Sequence, residues 1–353
     1  MTDGPALRIN GRFLTQQVTG VQRFAIEMTR ALCGMTVCDV IAPRGARDEG
    51  PIAPRRVGWL AGHAWEQLEL PWHAAGGVLV NLGNAAPLAL RRQVVVVHDA
   101  RPFTRPQVYS RRFATWYRLM QRGLVRRGAR IATVSHFAQC ELAGFLGLDP
   151  AAIAVLGEGA EHLLRAEPMA GLHRSLGLER RYVLTVGSLA GHKNLGALAA
   201  TAAMLAGRGM ELVLIGDVDR RVFGAGAGLP AGVRAVGRQG DAGLRALYEA
   251  ADCFVFPSRD ESFGLPAVEA MACGCPVVAA RAGSLPEVCG DAALLADPDD
   301  PGDIAAAVAR VLDDADCAAR LRAAGRARAG GFTWDEAARR LLDFAGSAGE
   351  KRR

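Results

Sequence analysis

Short, continuously apolar runs alternate with longer amphipathic stretches along most of the chain. Leu7–Phe13 reads as a first strand, and Gly20–Leu32 as a helix opened by a glycine-containing turn. Gly77–Asn81 and Val94–His98 are short and unbroken in their apolar character, the pattern of strands buried on both faces. Arg111–Arg127 predicts a helix, Ala129–Val134 a strand, and Ser135 opens a further helix running through Leu146. Strands alternating with helices in this way predict a parallel sheet covered on both faces.

Around Glu158–Leu176 the periodicity fades, and the stretch His173–Arg181 is charged. The pattern then restarts with strands over Tyr182–Val186, Glu211–Ile215, Val233–Val236, Asp252–Pro257 and Pro276–Ala280. Helices are expected over Leu195–Arg208, Asp241–Ala250 and Pro266–Cys273, with a glycine-rich loop at Gly224–Gly232. The expected division is therefore a first α/β domain over residues 1–170 and a second over 171–330. A closing segment, 331–353, carries an amphipathic helix at Phe332–Ala345 that is expected to pack back toward the first domain; its tail, Lys351–Arg353, reads as frayed.

A length of 353 residues suits two domains of roughly 150–200 residues each. Aromatic residues make up 6% of the chain, too few for base-stacking nucleic-acid modules, so no nucleic-acid partner is expected. No run approaches the roughly 18 apolar residues of a membrane span. The first ten residues lack a signal peptide's basic and apolar regions, and the eight cysteines form no CxxC pair, so a cytoplasmic chain with reduced thiols is expected. The net charge of +6 is unevenly spread: eleven arginines lie between Arg91 and Arg130, with Asp99 the only acid among them. Arg111, Arg118, Arg122 and Arg126 fall near one face of the expected helix. That face is either simply solvated or a contact for an anionic membrane surface.

The most informative segment is Phe256-Pro-Ser-Arg-Asp-Glu261-Ser-Phe-Gly-Leu-Pro266-Ala-Val-Glu269. A strand ends, a polar loop follows, and Pro266 begins a helix where its missing N–H costs nothing. Ser262, Phe263, Gly264 and Leu265 then present backbone N–H groups at a helix N-terminus, a ready site for a diphosphate. Open α/β sheets bind ligands at this kind of strand-end crevice. Glu261 precedes the helix and can reach a ligand's sugar; Glu269, read as lying in the first turn, can accept bonds from two ribose hydroxyls. Of the 42 basic residues only Lys193 and Lys351 are lysines, and Lys193 stands beside a glycine turn. A compact ammonium fits between phosphate oxygens where a planar guanidinium does not. Asp297-Pro-Asp299-Asp300 fits a late turn better than a metal-binding DxD motif, so no metal site is expected.

Glu261 followed by seven residues and Glu269 resembles the signature of family 4 retaining glycosyltransferases of the GT-B fold, in kind the bacterial polysaccharide mannosyl- and rhamnosyl-transferases. Tyr182-Val-Leu-Thr-Val-Gly187-Ser, His192-Lys193-Asn194, Val236-Gly-Arg238 and Ser284-Leu-Pro-Glu287-Val extend the resemblance over most of the second half. Thr19-Gly20-Val21-Gln22-Arg23, Trp65-Glu66-Gln67 and His98-Asp99 fit it more loosely in the first. The resemblance implies two Rossmann-like parallel-sheet domains facing a central cleft. It implies retaining, metal-independent transfer of a hexose from a nucleotide sugar, with no other cofactor. GDP-mannose is the first-choice donor, with UDP sugars open, and the acceptor is a saccharide, lipid-linked in polysaccharide or lipopolysaccharide synthesis. Peripheral attachment to the inner face of the membrane fits that role. Lys193 would contact the diphosphate, Gly20 and Gly187 would let backbone approach it, and His98 would stand beside the transferred sugar. Asp99 would orient the loop or His98. Family members often carry Arg before the lysine; here it is His192, and Arg238 is the candidate second cation.

Two other classes share parts of this pattern. A non-hydrolysing nucleotide-sugar epimerase binds the same donor in the same two-domain cleft but needs no acceptor. A dinucleotide oxidoreductase would need GxGxxG after the first strand, where none stands; Gly224-Ala-Gly-Ala-Gly228 is late and wrongly spaced.

Overall fold

The computed structural model describes residues 7–106, 109–178, 181–216 and 229–346. The glycine run at 224–228 and the tail at 351–353 lie outside them. The chain divides into two compact units, residues 1–158 with 334–353, and residues 159–333.

The first unit holds a seven-stranded sheet: β1 (Leu7–Asn10), β2 (Cys38–Pro43), β3 (Arg55–Val57), β4 (Val78–Asn81), β5 (Gln93–Val96), β6 (Arg130–Thr133) and β7 (Ala154–Val155). Their order is β3-β2-β1-β4-β5-β6-β7, and all pairings are parallel. The strand order reverses between β1 and β4, so their carboxyl ends open at a topological switch point. β1 is shorter than the pattern suggests, because the chain turns into a 3-10 helix at Gly11–Thr15. Val95, Val97, Met120, Leu124, Ile131 and Leu142 form one core under the sheet, and Ile41, Trp65, Leu70 and Leu79 a second cluster. The closing helix, Trp334–Gly346, belongs to this unit: Trp334 is buried against the edge of Phe24, ring centroids 5.7 Å apart.

The second unit holds six parallel strands: β8 (Tyr182–Val186), β9 (Glu211–Ile215), β10 (Val233–Ala235), β11 (Cys253–Phe256), β12 (Val277–Ala280) and β13 (Ala293–Ala296). Their order is β10-β9-β8-β11-β12-β13, with the switch point between β8 and β11. Val183, Leu198, Leu205, Leu214, Val255 and Val308 lead its core. Both sheets are Rossmann-like.

The first boundary lies before residue 159 rather than after 170. The short helix Glu161–Arg165 packs on the helices Asp241–Ala250 and Leu265–Ala272 of the second unit, and Arg245 donates to the Leu164 and Ala166 carbonyls at 2.9 Å. Those contacts tie the charged connector to the second core.

Candidate active site

The switch point of the second sheet gathers most of the residues expected there. The loop after β8 turns through a 3-10 helix, Gly191–Lys193, and into Asn194, which holds φ +55°. Asn194 is buried, and its Nδ2 donates to the carbonyls of Pro257 and Pro298 at 3.0 and 2.7 Å. The His192 carbonyl accepts from the Arg259 N–H at 2.9 Å and from the Ser258 hydroxyl at 3.1 Å. This lacing holds the lysine loop on the end of β11. Lys193 Nζ accordingly meets Glu261 Oε1 at 2.6 Å and stands 5.4 Å from the Phe256 ring centre. Glu261 is 7% exposed. Its carbonyl accepts from the Ser284 N–H at 3.0 Å, and a Cβ at Gly283 would come within 2.6 Å of that same oxygen. Only a glycine lets the Gly283 turn, at φ +58°, lie against Glu261.

The helix that follows Glu261 runs Leu265–Ala272, with Gly264 as its N-cap at φ +92° and Pro266 in its first turn. Phe263 is buried edge-on against Phe332, ring centroids 5.4 Å apart, and Leu265 is buried too, so both offer the site backbone rather than side chain. Ser262 leads into this turn. Gly187 follows β8 and gives its N–H to the Ile215 carbonyl at 3.0 Å. Next to it, a Cβ on Gly216 would overlap the Gly187 carbonyl oxygen, so the ends of β8 and β9 approach this closely only because residue 216 is glycine. Arg238 lies exposed on the loop after β10.

Glu269 is not in the first helical turn: with Leu265 as the first helical residue, it sits one turn further in and is 7% exposed. The helix dipole therefore explains little of its presence. Its Oε1 faces His162 Nε2 at 3.1 Å, and its Oε2 accepts from the Tyr248 hydroxyl at 3.4 Å. Burial pushes the Tyr248 phenol well above its ordinary pKa, which keeps it a donor. A carboxylate has about four acceptor positions, so the two partners leave capacity for a pair of ligand hydroxyls.

In the first unit the expected residues fall into a different setting. Gly20 is the first residue of the helix Gly20–Met35, where Gln22 accepts the Thr19 N–H at 3.3 Å, and no protein atom crowds its missing side chain. His98 is 5% exposed, packs edge-on to Phe24 at 4.6 Å, and shares a 2.9 Å hydrogen bond between Nε2 and the Leu82 carbonyl. Its Nδ1 faces Glu158 at 3.8 Å. The ring therefore fastens the β4 loop to the end of β5. Asp99 caps the next turn by accepting from the Arg101 N–H at 3.0 Å, the orienting role expected of it.

Glu66, part of the resemblance in the first half, sits in a buried network between β1 and β4 whose partners no motif pointed to. Asn10 Nδ2 donates to Glu66 Oε1 at 2.8 Å and to Asn81 Oδ1 at 3.0 Å. Arg12 Nε donates to Glu66 Oε1 at 3.0 Å, and His63 Nδ1 meets Glu66 Oε2 at 3.0 Å. Burial works to raise the Glu66 pKa, but His63, Arg12 and Asn10 together hold it below the usual carboxylate range. A small open pocket adjoins this network, lined by Arg12, Gln16, Gln22 and Glu66 among others.

The arginine helix, Arg111–Arg126, does not present all four expected arginines alike. Arg118 turns in and donates to the Pro102 carbonyl at 2.6 Å. Arg111, Arg122 and Arg126 stay exposed, with Arg112, Trp116 and Leu119 between them. Among the described residues no helix is long and apolar enough to cross a membrane. Asp297, Asp299 and Asp300 are occupied by a turn: Asp297 Oδ1 accepts from the Asp299 N–H at 2.8 Å, and Asp300 caps the helix Pro301–Asp313.

Residues 180–314 match the profile of the family glycosyl transferases group 1. Among curated proteins, the chain is 32% identical over 265 residues to O-antigen chain mannosyltransferase B of Escherichia coli, covering 70% of this chain and 68% of that one. It is 31% identical over 320 residues to a D-inositol 3-phosphate glycosyltransferase of Salinispora arenicola, covering 83% of this chain and 66% of that one. The chain thus spans about two thirds of the length of each of these relatives. Among solved structures, Anabaena HepE in complex with UDP and glucose superposes with a TM-score of 0.70 at 18% identity, over 97% of this chain and 100% of that one. At that identity the likeness bears on the fold.

Proposed function

This chain belongs to the glycosyl transferases group 1 family and is a glycosyltransferase of the GT-B fold, and on that footing we propose that it is a retaining hexosyltransferase. In this reading its donor is GDP-mannose and its acceptor a lipid-linked saccharide in cell-surface polysaccharide synthesis. The mannosyl donor follows the O-antigen relative's name. A UDP sugar is the second reading, favoured by the UDP and glucose held by the Anabaena structure.

The observation that carries the proposal is the Lys193–Glu261 pair at the switch point of the second sheet, directly before a helix N-terminus. A bound diphosphate would compete with Glu261 for the ammonium. The freed carboxylate would then turn to hydroxyls of the transferred sugar, and backbone N–H groups of the turn Ser262–Leu265 would donate to phosphate oxygens. Lys193 thus stabilises charge on the departing diphosphate without reorganising at the moment of reaction, and Arg238, on the loop after β10, is the candidate second cation. Glu269, held by His162 and Tyr248, would take the ribose hydroxyls. The acceptor hydroxyl attacks from the leaving-group side, and a donor phosphate oxygen takes its proton. The chemistry is proposed to be metal-independent, and Asp297, Asp299 and Asp300 are already used by a turn and a helix cap.

We further place the enzyme in the cytoplasm, peripheral on an anionic membrane face. Arg111, Arg122 and Arg126 interleaved with Trp116 and Leu119 make the basic, partly apolar surface that such binding uses. The deciding experiment is transfer from GDP-mannose and UDP-glucose to lipid-linked saccharides, with the product's anomeric configuration read by NMR. Retained configuration from one donor supports the reading. Inverted product, or epimerised donor formed without acceptor, contradicts it.

A further inference from the structure

The eight cysteines divide by setting. Cys253, Cys273, Cys275, Cys289 and Cys317 are buried in the second unit. Burial pushes the first four of these thiols up, Cys273 and Cys289 to about 12, so at neutral pH they stay protonated and inert. Cys33, Cys38 and Cys140 lie in the first unit, within reach of solvent. Cys33 stands in the last turn of the helix Gly20–Met35, and Cys38 is the first residue of β2. Between them Thr36 closes the helix, its N–H on the Leu32 carbonyl at 2.9 Å, and is itself extended at φ −149°. The chain so led into β2 brings the two side chains together, the Cys38 S–H donating to Cys33 Sγ. Residues 33–37 are all exposed, so a reagent in solvent has access to the pair.

Two thiols in contact at a surface can do what a lone thiol cannot, which is to exchange into a disulfide within one chain. The bond from Cys38 stabilises negative charge on Cys33 Sγ and holds that thiol below its ordinary pKa, although partial burial works the other way. The same bond, with burial, pushes the Cys38 thiol up. Cys33 is therefore the attacking group and Cys38 the resolving one. Covalent closure brings the sulfurs to about 2.05 Å, a small shift for two surface side chains already in contact. We propose that Cys33 and Cys38 form a reversible thiol–disulfide latch, closed by a low-molecular-weight disulfide such as oxidised glutathione and reopened by a dithiol. In closure the Cys33 thiolate attacks one sulfur of the oxidant, which forms a mixed disulfide and expels the other half as a thiolate. Cys38 then gives up its proton and attacks Cys33 Sγ, expelling the second half. The protein's two thiols are oxidised to one disulfide, and the reagent's disulfide is reduced to two thiols. A reducing compartment holds such a pair open, so closure responds to a rise in oxidant. The new bond ties the end of the helix Gly20–Met35 to the first residue of β2.

Thiol mapping on the full chain tests this: the reduced protein is treated with oxidised glutathione, digested with trypsin without reductant and read by mass spectrometry. Both cysteines fall in one tryptic peptide, residues 31–44. In the wild type that peptide should appear two hydrogens lighter and regain them with dithiothreitol. Cys38→Ser keeps a donor beside Cys33 but cannot close, and should stop at the mixed disulfide of Cys33 with glutathione. Cys33→Ser should leave Cys38 largely unmodified. At neutral pH, iodoacetamide should alkylate Cys33 several-fold faster in the wild type than in Cys38→Ala, since the thiolate is the reacting form. Closing a loop of six residues should also raise the first thermal unfolding midpoint by about 4 °C or more. A wild-type chain that stops at the mixed disulfide, with no lighter peptide, overturns the proposal. So do equal alkylation rates in wild type and Cys38→Ala, or a midpoint that stays or falls on closure.

Discussion

The two sheets reverse their strand order in the same way, yet what stands at their switch points differs in kind. At the end of β8 and β11, glycines draw backbone together, and a single lysine meets a single glutamate at 2.6 Å across an open helix N-terminus. At the end of β1 and β4, a buried carboxylate is shared among Asn10, Arg12 and His63, and amides and aromatic rings line the openings beside it. The first arrangement suits a fixed anion, since main-chain donors and one ammonium recognise a diphosphate whatever sugar it carries. The second suits polyhydroxyl ligands, whose recognition depends on particular side chains. On the proposed reading, the second unit's switch point takes the part that all nucleotide sugars share.

The largest effect should come from breaking the charge network of the first unit. Glu66→Ala leaves Arg12 buried without its partner and should cost about 3–5 kcal/mol, read from urea unfolding. Because the folded-state pKa of Glu66 is depressed, its contribution is fully present above the ordinary carboxylate pKa and is lost as pH falls through the lower folded value. Glu66→Gln should therefore flatten the acid limb of the stability curve, and an unchanged acid limb would show that the network is not what holds this crevice together.

Next in size is the corresponding cut in the second unit. Lys193→Ala and Glu261→Gln should each lower kcat by about 10²–10³, roughly 2.7–4 kcal/mol, with little change in unfolding free energy. Here the comparison sharpens: one crevice should lose stability when its pair is broken, the other activity. His162→Gln should act more mildly, raising the donor KM by about tenfold or more through looser placement of Glu269, with kcat nearly kept. A fall in kcat at constant KM would instead put His162 in the chemistry. Smallest is the basic helix face, where each of Arg122→Glu and Arg126→Glu should weaken flotation with anionic liposomes by about 1 kcal/mol or somewhat more at moderate salt. Arg118→Glu should do something else, since Arg118 is tied to the Pro102 carbonyl.

The central strands were legible because β4, β5, β8, β9 and β11 are unbroken apolar runs. β3 was not, since Arg55 and Arg56 on an edge strand carry no alternation, and neither was β2, which begins at Cys38-Asp39. The helices at Pro301–Asp313 and Ala315–Gly330, and β13, are not predicted from the pattern, their runs being rich in alanine. At the second switch point Glu261, Gly264 and Glu269 could be read together because they sit in one contiguous segment. Asn194, Gly216 and Gly283 could not, because their role exists only once distant strand ends meet. His162 and Tyr248 are in the same position: each is an ordinary residue until Glu269 is brought between them. The first crevice was the least legible, as Glu66 takes its meaning from β1, the 3-10 turn after it and the helix Gly62–Leu68 together.

Calorimetric titration of GDP-mannose and UDP-glucose into the wild type and Lys193→Ala, with circular dichroism on both, addresses the central claim most directly. One nucleotide sugar should bind the wild type and lose about tenfold or more in affinity when the ammonium is removed, the scale of a hydrogen bond to a charged group. Equal affinity in two equally folded proteins would mean that the diphosphate is held elsewhere.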